Sequence, residues 1–483
     1  MNVRSISTNV GKALLVSALF MFLSIIISVM NGLDSAFTPL LISFIITLLV
    51  GSFPFIFVKK APVLTTKDGF VTIIVAWLLS FVFGMLPYVL WGGEFTLVNA
   101  WFESVSGYTT TGSTILNDIE ALPKSLLFWR SSTHFIGGLG VVVFLLLVIP
   151  QASPYRLKLT NMEMSSLSKE GYRYNSSTVV RIITVVYLGL ALVTTLSLWA
   201  AGMPAFDAVN HAFSIAATGG FSTKNLSIGY FQSDLINVVA MVFMALSALH
   251  FGLIFAVFAT RSLKPMNNTV VKYYFGSMIV MSLIAALSLR LEGTYESFGR
   301  AWFDASFNVV SYMSTTGFAI CDNSAWPYLA SLMLMFAAIQ CGCSGSTTGG
   351  LKVDRILISF KAITSEVRRR LHPSSVSQVT LSGHHLPDSA VSSVSLYIVA
   401  YIIVIFVSVF AVILTGSEPV EAISGVISSV GSVGPGLGDV SGLENYSMQP
   451  VMARLIYTFD MFLGRLEIFP VFIVISMIFN GRK

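Results

Sequence analysis

Ten apolar runs, each long enough to cross a bilayer as a helix, constrain the fold of this chain more than any other feature. The hydrocarbon core of a membrane is about 30 Å thick and needs about 20 helical residues. Inside it every peptide group must be hydrogen-bonded internally. Only 11% of the 483 residues are charged, compared with about a quarter in soluble domains. The sequence therefore predicts an all-α polytopic membrane protein with ten transmembrane helices, over residues 13–31, 37–58, 70–91, 129–149, 179–201, 235–260, 271–290, 327–360, 392–415 and 450–479.

The distribution of charge predicts the orientation of these helices. Basic residues collect in alternate connections, and acidic residues collect in the others. Because cytoplasmic loops are enriched in Lys and Arg, this pattern places both termini in the cytoplasm. The basic residues assigned to the cytoplasmic side are Lys59, Lys60, Lys67, Arg156, Lys158, Lys169, Arg173, Arg181, Arg261, Lys264, Lys272, Lys352, Arg355, Lys361, Arg368, Arg369, Arg370, Arg482 and Lys483. The few assigned outside include Lys124, Arg130 and Lys224.

Four short stretches between the apolar runs each lead into a Gly-containing bend. The stretches are Asn99 to Thr109, Phe206 to Ala217, Ala301 to Ser314 and Val420 to Val433. A dozen residues cannot cross a bilayer as a helix, so each suits a half-span that enters from outside. Such bends are tolerated at membrane depth only where they pack in protein or line water. Four of them can share one pore; the alternative is that each is an ordinary Gly-rich loop.

The repetition divides the chain into five regions. We expect an N-terminal two-helix extension at residues 1–68. Four pore repeats would follow at residues 69–155, 156–264, 265–370 and 371–483. Each repeat contains an apolar run, a short helix, a bend and a second apolar run. The third repeat also contains a Gly-rich interruption. This arrangement predicts four pseudo-symmetric units around a central pore.

With this fourfold unit and with Gly112, Gly220, Gly317 and Gly436 in equivalent positions, the chain resembles the Trk/Ktr/HKT superfamily of potassium transporters, and most closely its bacterial TrkH branch. The resemblance covers nearly the whole sequence. It implies a selectivity filter that binds K⁺ through main-chain carbonyls with some help from threonine hydroxyls. Glycine at position 112, where the sodium-preferring plant branch has serine, implies a preference for K⁺. The implied ion-binding residues are Thr110, Thr111, Gly112, Thr218, Gly219, Gly220, Thr315, Thr316, Gly317, Gly434, Pro435 and Gly436.

The fourth bend departs from this pattern because it lacks threonine. We therefore expect it to contribute backbone carbonyls alone. Its key glycine is ambiguous among Gly434, Gly436 and Gly438. Gly436 is preferred when Leu437 is matched with Phe221 and Phe318.

A gate is predicted in the eighth run. A segment rich in Gly, Ser and Thr follows Gln340 and cannot hold a continuous helix well. The resemblance implies an intramembrane loop that obstructs permeation; the alternative is a cytoplasmic exit from a span that ends near Ile339. The resemblance also implies that Arg465 projects into the path, although intramembrane charges usually pair, here with Asp460. The predicted gate residues are Gly342, Gly345, Gly349, Gly350 and Arg465.

Two roles are expected for the acidic residues in the four short stretches. Glu103, Asp207, Asp304 and Glu421 can cap helix N-termini or concentrate cations at the outer mouth.

The resemblance further implies the partners of the chain. It predicts a homodimer in the bacterial inner membrane, in contact with lipid, that binds a cytoplasmic ring of nucleotide-binding regulatory subunits of the TrkA type. The basic segment at Arg368, Arg369 and Arg370, with His372, His384 and His385, is the expected contact. No nucleotide motif occurs in this chain, so K⁺ is its only predicted ligand. No organic cofactor and no nucleic acid are expected.

Two other functions are alternatives to a potassium channel. A proton- or sodium-coupled symporter would use the same fold. An intramembrane hydrolase is suggested by Gly342-Cys343-Ser344-Gly345 but disfavoured, because a nucleophile elbow needs glycine two residues after its serine and position 346 is serine. We therefore predict that the protein is not an enzyme.

Overall fold

The protein is almost entirely helical. The computed structural model describes residues 2–58, 65–152, 176–373, 378–381 and 384–480. Its α-helices are α1 (Val3–Met30), α2 (Phe37–Phe57), α3 (Thr66–Gly84), α4 (Leu86–Trp91), α5 (Leu97–Tyr108), α6 (Lys124–Ala152), α7 (Ser176–Ala200), α8 (Ala205–Ala217), α9 (Asp234–Ser247), α10 (Phe251–Thr260), α11 (Thr269–Leu291), α12 (Phe298–Met313), α13 (Tyr328–Gln340), α14 (Val353–Leu371), α15 (Asp388–Leu414), α16 (Pro419–Gly431), α17 (Val451–Arg465) and α18 (Phe469–Asn480).

The remaining regular elements are small. Short 3₁₀ helices cover Ser227–Phe231, Lys264–Met266 and Gly438–Val440. Strands β1 (Thr380–Leu381) and β2 (His384–His385) form one antiparallel hairpin, in which Thr380 lies opposite His385. These elements connect or follow the helices and do not form a separate domain.

Several helices meet the requirements for a membrane span. By length and composition, six of the described helices or continuous helix pairs can cross a bilayer, and a seventh is added if α9 and α10 are counted as one bent span. The predicted sixth run is therefore not one straight helix, because α9 and α10 meet at an angle of 100°. The bend lies at Ala248, Leu249 and His250, between the two helices.

The buried side chains form two large clusters. One joins α1–α6 to α15–α18, and the other joins the middle of α6 to α7–α14, with further residues from α15 and α16. The four short helices α5, α8, α12 and α16 reach into these clusters, and residues at their C-terminal ends are buried. The bends that follow them therefore lie in the interior of the protein.

One interruption occurs in the eighth run, where the sequence predicts it, and another occurs in the tenth run. In the eighth run, α13 ends at Gln340 and α14 begins only at Val353. In the tenth run, α17 ends at Arg465, and Glu467 and Ile468 both have positive φ. Residues 341–352, which lie between α13 and α14, fold back into the protein. They are called the break below.

Some predictions fall on residues that the structure does not describe. These are the cytoplasmic assignments of Lys59, Lys60, Arg156, Lys158, Lys169, Arg173, Arg482 and Lys483, and the boundary between the first two repeats at residues 155 and 156. They lie outside the described residues.

Candidate functional site

The four bends share one backbone conformation. In each, a hydroxyl residue with φ near +54° is followed two residues later by a glycine that also has positive φ. The hydroxyl residues are Thr110 (54°), Thr218 (55°), Thr315 (54°) and Ser432 (53°), and the glycines are Gly112 (84°), Gly220 (95°), Gly317 (73°) and Gly434 (105°). The prediction that Gly436 is the equivalent glycine is therefore wrong, since Gly434 occupies that place and Pro435 follows it as Phe221 follows Gly220.

The amide group at the centre of each bend is bonded back to its own helix. It donates to the carbonyl of a serine five residues earlier: Thr111 to Ser106 (2.9 Å), Gly219 to Ser214 (2.8 Å), Thr316 to Ser311 (2.9 Å) and Val433 to Ser428 (2.9 Å). These are the 6→1 bonds of a helix that ends in a left-handed residue. Each bend therefore uses this central donor internally.

The bends touch one another in a closed ring. A Cβ atom added to Gly112 would lie 2.0 Å from the carbonyl oxygen of Gly219. A Cβ atom added to Gly220 would lie 2.1 Å from the carbonyl oxygen of Thr316. One added to Gly317 would lie 2.2 Å from that of Val433, and one added to Gly434 would lie 2.6 Å from that of Thr111. Each glycine thus faces the oxygen of the next bend, in chain order, and the fourth faces the first. The ring has no room for a side chain at these positions.

The hydroxyl groups of the ring are buried, and most have no partner. In the described part of the chain, Thr110 Oγ1, Thr315 Oγ1 and Ser432 Oγ form no hydrogen bond. Thr218 Oγ1 donates to Ala217 O at 2.7 Å. The absence of threonine suggested that the fourth bend has no hydroxyl group. It has one, because Ser432 stands where the others have threonine. Carbonyl and hydroxyl oxygens are suitable ligands for a dehydrated alkali cation.

The residues described contain no group of three or more His, Cys, Asp or Glu side chains that could hold a metal ion.

One face of the ring opens into a cavity. The four glycines of the ring line it, together with residues that follow the bends, such as Ser113, Phe221 and Pro435. Charged side chains also line its wall, including Arg130, Lys224 and Glu444. A small solute can thus reach the glycines from this face.

The break packs against two of the bends. Thr347 Oγ1 donates to Ala216 O and accepts from Thr218 Oγ1, both at 3.2 Å. A Cβ atom on Gly349 would lie 2.4 Å from Gly431 O and 2.8 Å from Ser432 Cβ. Residues 346–355 are buried. The segment that follows α13 is therefore packed within the protein.

The other predicted glycines of the break pack against the bend between α9 and α10 or within the break. A Cβ on Gly342 would meet Ala248 O at 2.8 Å, and one on Gly345 would meet the His250 ring at 2.2 Å. Gly350 has positive φ and lies against Cys341. All four predicted gate glycines therefore occupy positions where a side chain would collide.

Arg465 does not pair with Asp460. Its guanidinium donates to Thr347 O in the break and to Gly137 O at 3.4 Å. The carboxylate of Asp460 instead accepts from Ser408 Oγ at 2.6 Å. Among the described residues no carboxylate forms an ion pair with Arg465, although the side chain is only 3% exposed. A buried positive charge therefore lies directly against the break.

The far end of the break is held by a buried ion pair that sequence reasoning missed. Glu467 accepts from Lys352 Nζ at 2.9 Å and from the Arg355 guanidinium at 2.8 Å. The sequence assigned both basic residues to the cytoplasm, and nothing in their spacing pointed to a residue more than 100 positions away. Arg465 thus attaches the middle of the break, at Thr347, to the end of α17. Glu467 attaches its last residue, Lys352.

The acidic residues of the short helices have side-chain partners, and Asp207 and Glu421 also lie in the first turns of α8 and α16. Glu103 forms a buried ion pair with Arg130 at 2.7 Å and does not cap a helix. Asp207 accepts from the Thr223 hydroxyl at 2.6 Å. Asp304 pairs with Arg300 at 3.0 Å, and Glu421 accepts from Gln449.

The predicted partner surface is exposed. Arg368, Arg369 and Arg370 lie in the last turn of α14. Arg369 and Arg370 pair with Glu366 of the same helix, which holds the pKa of that carboxyl below its usual range. The surface remains basic, with three arginines and one glutamate.

The chain matches known proteins over almost its full length. Residues 38–291 and 295–481 match the family model TrkH, described as a cation transport protein. The Trk system potassium uptake protein TrkH of Salmonella typhimurium is 32% identical over 99% of both chains, and that of Halomonas elongata is 33% identical over 99% of both. The crystal structure of the potassium transporter TrkH from Vibrio parahaemolyticus superposes with a TM-score of 0.89, at 30% identity, over 99% of this chain and 100% of the other.

Proposed function

The chain belongs to the TrkH family of cation transport proteins, and from this premise we propose that it takes up potassium ions through the ring of four bends. It is a membrane-spanning transport protein and not an enzyme. The observation that carries the proposal is the closed ring of glycine-to-carbonyl contacts. Such a ring can replace the hydration shell of a cation with protein oxygens.

The ligands that we propose differ slightly from those suggested by the sequence. Ser432, Val433 and Gly434 correspond by backbone conformation to Thr110, Thr111 and Gly112. Gly436 is removed from the set, because Gly434 holds the positive-φ position of this bend and Gly436 lies two residues beyond it. Pro435 is removed as well, because it follows Gly434 as Phe221 follows Gly220. The proposed ligands are Thr110, Thr111, Gly112, Thr218, Gly219, Gly220, Thr315, Thr316, Gly317, Ser432, Val433 and Gly434. Selectivity for K⁺ over Na⁺ would follow from the number and spacing of these oxygens.

The surrounding architecture would be four pore repeats with ten crossings and cytoplasmic termini in the bacterial inner membrane. The four short helices with a common bend support this arrangement. We propose the repeats at residues 69–155, 156–264, 265–370 and 371–483, after a two-helix extension at 1–68.

The break and Arg465 would together form the gate. The break lies against the bends that follow α8 and α16. These bends contain the hydroxyl residues Thr218 and Ser432. Arg465 adds a buried positive charge that no carboxylate among the described residues neutralises. Repulsion of K⁺ by this charge and obstruction by the break would both oppose permeation.

Regulation would come from other chains. The relatives are named as proteins of a Trk system, which supports a multi-component assembly. We propose a homodimer in contact with lipid that binds a TrkA-type nucleotide-binding subunit through the basic end of α14.

Flux through the purified protein in liposomes tests this function. We expect K⁺ to pass in preference to Na⁺, with a reversal potential that follows the K⁺ gradient, and the flux to change when a TrkA-type subunit is added. Equal passage of Na⁺ would contradict the proposed selectivity. A reversal potential that moves with the pH or Na⁺ gradient would instead favour the coupled symporter.

Deletion of residues 346–349 tests the gate. This change removes the contacts of Thr347 with Ala216, Thr218 and Arg465. We expect K⁺ flux without a regulatory subunit to rise about tenfold, the effect of lowering a barrier by about 1.4 kcal/mol. Monodispersity and the thermal unfolding midpoint establish that the variant is folded. Unchanged flux through a folded variant would argue against the gate.

A further inference from the structure

Arg130 makes the most extensive set of polar contacts close to the ring. It lies on α6 and is 1% exposed. Its Nε donates to Glu103 on α5 at 2.7 Å. Its terminal nitrogens donate to Ser222 O at 3.1 Å and to Thr114 Oγ1 at 3.3 Å. One guanidinium thus joins α5, the segment after the first bend and the segment after the second.

The two segments are joined at matching places. Thr114 lies two residues beyond Gly112, and Ser222 lies two residues beyond Gly220. Glu103 reinforces the first attachment, because its carboxylate also accepts from the Thr114 hydroxyl at 3.1 Å and from the Ile115 amide at 3.2 Å. One side chain and its counter-ion therefore bridge the first two bends close to their glycines, and Asn225 and Lys224 join the same two segments further along the chain, at residues 118–120.

The second bend is held from two sides by the same helix. The Arg130 guanidinium lies 4.0 Å from the centre of the Phe221 ring. His134, one turn further along α6, stacks on Phe221 with centroids 4.1 Å apart and 13° between the planes. Phe221 directly follows Gly220, so this ring fixes the backbone at the edge of the ion site.

The other junctions of the ring use different contacts. Ser113 donates to Gly434 O at 2.9 Å, which joins the first bend to the fourth. Tyr312 donates to Gly436 O, which joins the third to the fourth. Ser227 accepts from the Ala319 amide at 3.2 Å, which joins the second to the third. These three contacts are made by neutral groups, whereas the contact between the first and second bends is charge-assisted and geometrically specific.

We propose that Arg130, held by Glu103, is a positioning residue that sets the spacing of the first two bends and thereby the K⁺ over Na⁺ preference of the pore. This inference rests on the proposed function. Selectivity depends on oxygen spacing and on how firmly the oxygens are held. The planar guanidinium holds both segments at once, which the single ammonium of lysine cannot do.

The charge of the pair matters as well as its shape. Arg130 lines the cavity that opens onto the glycines. With Glu103 in place, the pair is neutral to an approaching cation. Removal of the Glu103 charge alone would leave a positive side chain beside the route to the ring, which repels K⁺.

The test compares reversal potentials of Arg130→Lys, Glu103→Gln and Phe221→Leu with wild type in proteoliposomes that contain K⁺ and Na⁺. A permeability ratio does not depend on how much protein is active, so a loss of folded protein alone leaves it unchanged. We expect Arg130→Lys to lower the K⁺/Na⁺ ratio about tenfold, equivalent to about 1.4 kcal/mol of differential binding. Phe221→Leu should lower it in the same direction, and Glu103→Gln should also slow K⁺ entry.

Arg300→Lys is the matched control. Arg300 also pairs with carboxylates, those of Asp304 and Asp234 at 3.0 Å, but it is 47% exposed and lies at the start of α12. We expect its ratio to equal that of wild type. Phe221→Leu keeps the ion pair intact, so it tests the same contact if the charge variants do not fold. Variants that retain the wild-type ratio would overturn the role of Arg130, whereas a wild-type protein without K⁺ preference would contradict the proposed function instead.

Discussion

Replacement of Gly112 by alanine should abolish most potassium uptake and its selectivity. An added Cβ at this position would lie 2.0 Å from Gly219 O, a backbone atom that can move only if the second bend moves. A non-glycine residue at positive φ also costs about 1–2 kcal/mol. Because the displaced oxygen is a proposed ligand, we expect K⁺ flux to fall by more than about tenfold, which requires only about 1.4 kcal/mol in the barrier.

The measurement is ⁸⁶Rb⁺ or K⁺ uptake into proteoliposomes at matched protein content. Gly189→Ala is the control, since Gly189 lies within α7 and an added Cβ there meets no atom within 4 Å. Its flux should equal that of wild type. A Gly112→Ala protein that conducts K⁺ normally would show that the ring of bends is not the ion path.

Replacement of Arg465 by glutamine should raise potassium flux in the absence of a regulatory subunit. Two effects act together, since the change removes a buried positive charge and its bond to Thr347 O. At roughly 10 Å and an effective dielectric constant of 20, the repulsion of K⁺ is worth about 1.7 kcal/mol. Relief of this repulsion alone would raise the rate more than about tenfold.

Arg454→Gln provides the comparison for this variant. Arg454 lies on the same helix, α17, but contacts Asn99 on α5 rather than the break. The same change of charge there should have little effect on flux. If Arg465→Gln conducts like wild type while remaining folded, the barrier role of Arg465 is wrong.

The existence of the four bends was predictable from the sequence, but the register of the fourth was not. The first three carry Thr and Gly in a recognisable order. In the fourth, Gly434, Gly436 and Gly438 all stand at plausible places. The backbone decides among them, because Gly434 has positive φ two residues after Ser432 and faces the oxygen of Thr111.

The bend between α9 and α10 was missed for a related reason. Ala248, Leu249 and His250 contain neither glycine nor proline, so nothing local marks an interruption. The bend is stabilised by contacts with the distant break: the Cys343 amide donates to Ala248 O at 2.9 Å, and the Phe251 amide donates to Gly345 O at 3.1 Å. The peptide groups released from one helix are satisfied by another segment, which the sequence does not reveal.

Charged residues were the least predictable part of the site. Composition placed Arg130 outside and Lys352 inside, according to the bias of the loops. The structure buries both, with Glu103 and Glu467 as their counter-ions. A buried charge requires a partner, but the sequence does not say which carboxylate supplies it.

By itself, the sequence determined that this chain is a helical membrane protein with four glycine-containing bends and an interrupted eighth run. These features follow from local properties, since apolar length and glycine content act on the residues that carry them. Only the tertiary structure decided which glycine closes the ring, that Ser432 supplies the fourth hydroxyl, and which charges meet. Those outcomes depend on contacts between segments far apart in the chain, where packing and the need to satisfy buried polar groups select one arrangement.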